Sequence, residues 1–400
     1  MPAAKISDAG LARLKELVKD YGTETDKPGT AVGIVSSDGS MLFNAAVGPS
    51  DITTQKPMTQ DQVFWIASCT KIVTAIACMQ LVERGKLSLH DPLGTLCPEL
   101  ADPEIIVAST STSIETKKAQ NKITLHHLLT HSAGYSYSWY SEHIKNWSDI
   151  NKVDEFSGTR RLMPLIFEPG TRYSYGINMD WAGLVVEAAT GMKLGDYMEQ
   201  NIFAPLGVKD ICFDLSKRPD MKARLAPLHA WNKEEGTFGP REHTPLAGTP
   251  QIHGGGGGLF STVADYLQVL VVLLNEGKGA NGTRLLKEDT VKMMWKDQLS
   301  EIKQTISQPA DVSDSKYAGE PLALGENKGW GYSMLLNETK LPTGRTPGSG
   351  EWGGISNLVW MADATKGFAY LIANCILPYG VPRFHHLADE VEKTVYDNLE

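Results

Sequence analysis

Strand-like patterns at both ends of the chain, with helical patterns between them, constrain the fold more than any other feature. Residues 31–35 and 41–47 are apolar runs that flank Ser37-Asp38-Gly39-Ser40, a turn chemistry that joins antiparallel strands. Near the C-terminus, 329–336, 355–361 and 367–373 read as strands, the last two joined by a turn over 362–367. Between the two groups, apolar residues recur at helical spacing over 72–82, 124–129, 180–189 and 263–274. An amphipathic helix with Leu11, Leu14, Leu17 and Val18 precedes the first hairpin, and another with Leu387, Val391, Val395 and Leu399 closes the chain. This order predicts an α/β (α+β) protein, in which one antiparallel sheet built from both chain ends is flanked by helices and a mostly helical region is inserted. The expected units are a discontinuous sheet domain, 1–66 with 290–400, and a helical domain, 67–289, with the active site between them. The polar stretch 298–327 follows neither pattern and is expected to be a surface loop.

Composition narrows the class of function. A net charge of −9 with scattered Lys and Arg offers no basic stripe for nucleic acid or an anionic membrane. The longest apolar run, 267–274, is far shorter than the roughly 20 residues of a membrane span. Cys69, Cys78, Cys97, Cys212 and Cys375 are widely spaced with no C-x-x-C pair, which suggests neither a disulfide framework nor a cysteine metal site. The N-terminus runs into helical spacing and not into a signal-like apolar segment, so a cytoplasmic location is expected.

The richest chemistry lies at Ser68-Cys69-Thr70-Lys71. A Ser hydroxyl needs a base to become a nucleophile, and a Lys three residues on along a helix lies on the same face. The spacing also occurs at Ser300/Lys303 and Ser313/Lys316, but only Ser68 opens an apolar helix, after Phe64-Trp65-Ile66. Burial there would disfavour the ammonium form of Lys71 and bring it towards a usable base. The plainer alternative is a helix start with a solvated Lys. Tyr175, in the turn 168–178, can deliver a phenol to a reacting centre, or it can simply pack. Gly348-Ser-Gly-Glu-Trp-Gly-Gly354 precedes a strand and can expose backbone N–H groups to an oxyanion, or can be a tight turn.

In this order the three pieces resemble the serine β-lactamase-like superfamily, which includes class C β-lactamases, penicillin-binding proteins and family VIII carboxylesterases. The likeness extends to Ile123-Thr-Leu-His-His-Leu-Leu-Thr-His-Ser-Ala-Gly134, Phe203-Ala-Pro-Leu-Gly207 and Gly254-Gly-Gly-Gly-Gly-Leu-Phe-Ser-Thr262. Tyr175-Gly-Ile-Asn-Met-Asp-Trp-Ala-Gly183 and Asn357-Leu-Val-Trp360 are most similar to fungal polyketide transesterases of the lovastatin acyltransferase type. The resemblance implies that Ser68 is the acylated nucleophile, Lys71 its base and Tyr175 the partner in proton transfer, with the N–H groups of Ser68 and Ile355 as the oxyanion hole. Two departures matter: Ile177 stands where the β-lactamases carry Asn, and Trp352-Gly353-Gly354 stands in place of Lys-Thr-Gly. Loss of that cation and gain of a hydrophobic Trp352 suit an uncharged ester better than a β-lactam.

Other signals are set aside. His253-Gly254-Gly255-Gly256 resembles a lipase oxyanion loop, but the chain has no G-x-S-x-G. His127 and His131 have the i, i+4 spacing of a zinc pair without the Glu or a third ligand. The glycine run 254–258 lacks the Lys-Ser/Thr ending of a phosphate loop, and Cys69 is expected in the core. The expected protein is a serine carboxylesterase or transesterase that forms an acyl-Ser68 intermediate, without metal or organic cofactor. Its partners would be a small ester or thioester donor, including one bound to a carrier protein, and water or an alcohol as acceptor. Tyr137, Trp139, Tyr140 and Trp352, with Gly353 and Gly354, are candidate pocket walls. The alternatives are a β-lactamase or D-Ala peptidase and a non-catalytic binder of acylated ligands.

Overall fold

The computed structural model describes residues 3–153, 162–241, 250, 252–302 and 328–400. Its spine is a seven-stranded antiparallel sheet. In chain order its strands are β1 (Thr30–Ser36), β2 (Met41–Val47), β3 (Lys328–Trp330), β4 (Leu335–Asn337), β5 (Gly350–Gly354), β6 (Leu358–Asp363) and β7 (Phe368–Ala373). The spatial order is β3-β4-β5-β6-β7-β1-β2, so the N-terminal hairpin pairs through β1 with β7 and completes a sheet begun at the other end of the chain. The sheet assembled from both chain ends is therefore present.

The sheet has two covered faces, which is why β1 is buried along its whole length. On one face, Val32, Ile34, Tyr370 and Ile372 form a cluster with α1 (Asp8–Tyr21) and the C-terminal helix Pro382–Asp397, through Leu14, Val18, Phe384, Leu387 and Val391. On the other, Ala31, Val35, Trp352, Trp360 and Leu371 join the larger core. That core contains α2 (Thr70–Glu83), α3 (Leu125–Leu129), α4 (Asn178–Thr190) and α5 (Val263–Leu274). Gly33 marks the closest approach, since a Cβ there would lie 2.5 Å from Val263 Cγ1 and 2.7 Å from Leu267 Cδ1. Burial of α5 on nearly all sides explains its uninterrupted Val and Leu.

Several expected boundaries shift. Residues 329–336 form two strands, not one, because the chain reverses through Tyr332-Ser333-Met334 with Ser333 at φ 70°. The strand expected over 355–361 begins only at Leu358; Ile355-Ser356-Asn357 is a turn with Asn357 at φ 59°, and the expected glycine turn before it is instead β5. The middle is less helical than its periodicity suggested, for Glu104–Ser109 and Ile114–Lys118 pair as a hairpin. The expected surface loop from 303 onward, with Lys303, Ser313 and Lys316, lies outside the described residues. No helix among the described residues is long and apolar enough to cross a membrane.

Candidate active site

Ser68 sits at a junction. Ala67–Cys69 form a 3-10 turn that leads into α2, and Ala67 just before the serine has φ 45°, in the left-handed region that non-glycine residues avoid. Strain of this kind persists only where the surroundings impose it. Here Ile66 N–H is held by Leu259 O at 3.1 Å, Trp65 O accepts from Ser356 Oγ at 3.1 Å, and Tyr266 Oη donates to Cys69 O at 2.9 Å. Ser68 is half-buried, while Cys69 is fully enclosed in the core.

One turn on, Lys71 is only 1% exposed. Its Nζ donates to Ser68 Oγ at 2.9 Å and to Gly256 O at 2.6 Å. It also lies 4.7 Å from the centre of the Tyr175 ring and 5.9 Å from that of Tyr137, close enough for aromatic faces to attract a cation. Tyr175 shares a hydrogen bond with Ser68, and Trp352 Nε1 donates to the Tyr175 hydroxyl oxygen at 3.0 Å. Burial, aided by the neighbouring Tyr137 phenol, pushes the Tyr175 phenol well above its ordinary value of 10.0 in spite of those two hydrogen bonds. Tyr175 therefore keeps its proton at neutral pH.

The glycine run set aside as a failed phosphate loop packs against the serine's helix. Gly256 O receives Lys71, Gly255 O receives Thr74 Oγ1 at 2.8 Å, and Gly257 O receives Trp65 Nε1 at 2.7 Å. A Cβ at Gly255 would lie 2.5 Å from Met179 O, and one at Gly256 would lie 2.8 Å from Asp180 Oδ2, so side chains there would push the run off the helix. Lacking a phosphate-loop ending, the run was left without a role by sequence alone; in the structure its glycines serve close backbone approach.

From the other side comes the end of β5. Trp352 points to the core that holds α2, and a Cβ at Gly354 would lie 2.7 Å from Ile66 O. The strand end and the turn bearing Ser68 thus meet directly, with Ile355 partly exposed beside them. Of the other expected wall residues, Tyr137 and Trp139 stack at 4.5 Å, and Tyr137 and Tyr140 meet the Tyr175 ring edge-on at 5.4 and 6.2 Å. Tyr137 and Trp139 are buried.

The two histidines of the apparent zinc spacing are not neighbours in function. His127 closes a capping box, its Nδ1 accepting from Thr124 N–H at 3.3 Å. His131 is fully buried beside Tyr175, ring centres 4.7 Å apart. Sequence reasoning missed its place because i, i+4 spacing presumes a continuous helix, and the helix ends at Leu129.

The Beta-lactamase family model matches residues 14–374. A monacolin J acid methylbutanoyltransferase of Aspergillus terreus is 30% identical, over 92% of this chain and 91% of its own. A lovastatin esterase of Penicillium rubens is 32% identical, over 84% and 85% respectively. Among solved structures, unliganded simvastatin synthase from Aspergillus terreus superposes with a TM-score of 0.85 at 28% identity and 98% coverage of both chains. EstCE1, described as a hydrolase with promiscuous acyltransferase activity, shares the fold with a TM-score of 0.78 at 20% identity over 97% of this chain and 99% of its own. By the extent of the family match and of these likenesses, the chain belongs to the beta-lactamase family.

Proposed function

We propose that the protein transfers acyl groups from esters or thioesters through an acyl-Ser68 intermediate. The observation that carries this is the contact of Lys71 Nζ with Ser68 Oγ at 2.9 Å, in a buried site where Tyr175 also bonds to the serine. Lys71, as the neutral amine, takes the hydroxyl proton while Ser68 Oγ attacks the carbonyl carbon. The N–H groups of Ser68 and Ile355 hold the oxyanion where β5 meets the serine turn. Collapse of the tetrahedral intermediate breaks the ester C–O bond, and the departing oxygen takes a proton from Tyr175, whose raised pKa suits it to donate and not to act as the resting base. A second nucleophile, water or an alcohol, then reverses these steps and frees the acyl group. Acyltransferases and an esterase among the relatives fit this chemistry, since the two outcomes differ only in which nucleophile arrives second.

The donor class is a small acyl ester or thioester, including one borne on a carrier protein. Trp352 in place of a cation supports an uncharged carbonyl substrate over a β-lactam carboxylate, with Tyr137, Trp139, Tyr140, Gly353 and Gly354 as pocket walls. The five free cysteines, four of them buried, support a reducing, cytoplasmic setting.

Intact-mass spectrometry after brief mixing with p-nitrophenyl esters of short and medium acyl chains tests the proposal. An acyl-sized increment or nitrophenolate turnover that disappears in Ser68→Ala is expected, and candidate alcohols should then accelerate deacylation if transfer is favoured. Rapid Ser68-dependent hydrolysis of nitrocefin with inert esters would replace the ester reading by the β-lactamase one.

A further inference from the structure

We propose that His131 is a positioning residue for Tyr175, a single buried side chain that ties down the backbone on both sides of the tyrosine and packs against its ring. The inference rests on the proton-transfer role given to Tyr175 above. His131 O accepts from Ser174 N–H at 2.9 Å, the residue before the tyrosine. Its Nδ1 faces Gly176 N–H at 3.5 Å, the residue after it, and accepts from Asn178 Nδ2 at 3.0 Å. The ring lies 4.7 Å from that of Tyr175.

Three observations argue that the imidazole is held for this task and is not filler. First, His131 has φ 56°, in the left-handed region that few non-glycine residues adopt. Second, a ring whose Nδ1 accepts two N–H groups carries its proton on Nε2, and Nε2 has no hydrogen-bond partner among the described residues. It instead sits in an aromatic cage, with the Trp330 ring edge-on at 5.5 Å and that of Tyr173 at 6.1 Å. A buried N–H without an acceptor is costly, and an apolar side chain would avoid that cost. The compensating feature is the acceptor at Nδ1. Third, burial first, and then the neighbouring Lys71, hold the imidazole well below its ordinary pKa of 6.5, so it stays neutral and Nδ1 stays an acceptor. The segment it holds is tightly fitted, because a Cβ at Gly176 would lie 2.6 Å from Ser136 Cα and Ser174 Oγ donates to Ser136 Oγ at 2.9 Å.

The test compares His131→Gly and His131→Asn in the full chain, alone and with Tyr175→Phe, by single-turnover acylation with a p-nitrophenyl ester. Both replacements accept a positive φ, but only Asn keeps an oxygen near the position of Nδ1. His131→Gly should slow acylation by about 100-fold with KM nearly unchanged, and His131→Asn should recover at least about tenfold of that. With Tyr175→Phe, the same His131→Gly change should cost less than about threefold, because a positioning group has nothing left to position. Equal losses in both backgrounds would mean a purely structural histidine and would overturn the proposal. An unimpaired Tyr175→Phe enzyme would remove Tyr175 from the reaction, a separate failure that takes this proposal with it. If His131→Gly does not fold, Asn178→Ala frees the ring without touching Tyr175, and it should show the same dependence on the tyrosine.

Discussion

Lys71 and Arg345 are both buried basic side chains, 1% and 5% exposed, on opposite sides of the strand that carries Trp352. Arg345 is surrounded by carboxylates. Its Nε donates to Glu392 Oε2 at 2.9 Å, it also pairs with Glu351, and Tyr370 donates to Glu392 Oε2 at 2.6 Å while Lys328 reaches Glu351 at 3.1 Å. Burial opposes its charge, but Glu351, Tyr370 and Glu392 more than offset this and hold the guanidinium above its ordinary range. Lys71 instead meets a hydroxyl, a backbone carbonyl and the faces of two tyrosines. A cation locked by carboxylates fixes a strand and exchanges no proton. Lys71, set against Ser68 Oγ, is instead placed to take the proton that the hydroxyl gives up.

Replacing each basic side chain by an isosteric apolar residue should separate these roles. Lys71→Met should lower kcat by about 10³-fold or more. Its Tm should be unchanged or higher, because an apolar side chain of similar shape replaces a buried polar one. Arg345→Met leaves Glu392 and Glu351 buried without their partner and should cost about 3–5 kcal/mol in denaturant unfolding. The kcat of its folded fraction should stay within about twofold of the parent, since no reacting atom loses a partner. A large fall in kcat for Arg345→Met at unchanged stability would break the comparison and make the ion network part of the chemistry.

A smaller effect tests how the two sides communicate through β5, where Glu351 faces the ion network and Trp352 faces Tyr175. Trp352→Phe keeps the aromatic wall but removes the Nε1–H donor to the phenol oxygen. A loss of about tenfold in kcat is expected, the worth of one net hydrogen bond. Tm should be almost unmoved, in contrast to Arg345→Met.

The same contrast explains what the sequence could and could not say. Ser68 and Lys71 were legible because a serine and a base three residues on share one face of a helix, and Tyr175, far along the chain, because its segment resembles a family motif; the structure brings the three together. The sheet from both chain ends was legible because β1, β2, β6 and β7 carry β-branched and apolar runs bounded by turns. Arg345 with Glu392 was not, since 47 residues separate them and neither belongs to a local pattern. The glycine run was set aside for a related reason. Its purpose, close approach to α2 and α4, is a tertiary fact to which the residues 254–258 offer no local clue. Asn357 and Ser333 hid strand boundaries because a positive φ at a non-glycine residue leaves no mark in composition.

Acid should loosen the two regions in a fixed order. Burial lowers His126 and His127 each to about 4, the neighbouring His127 and His90 adding to the effect on His126 and His90 to that on His127, and it holds His131 lower than 6.5 as well. In the unfolded chain these groups titrate near 6.5. Between about 4 and 6.5 the unfolded state binds more protons than the folded one, so stability falls as pH falls through that window and is complete only above it. Glu351 behaves differently. Burial would raise it, but Arg345 and Lys328 outweigh burial and depress it below 4.5, so the stability it supplies persists until pH drops under that value. Hydrogen exchange from pH 7 down to 5, corrected for intrinsic rates, should therefore show protection falling first along 123–134, beside Tyr175, while 345–351 holds. The reverse order would mean that the carboxylate network, not the buried histidines, sets the acid limit, and the assignment of a rigid side and a reactive side would have to be exchanged.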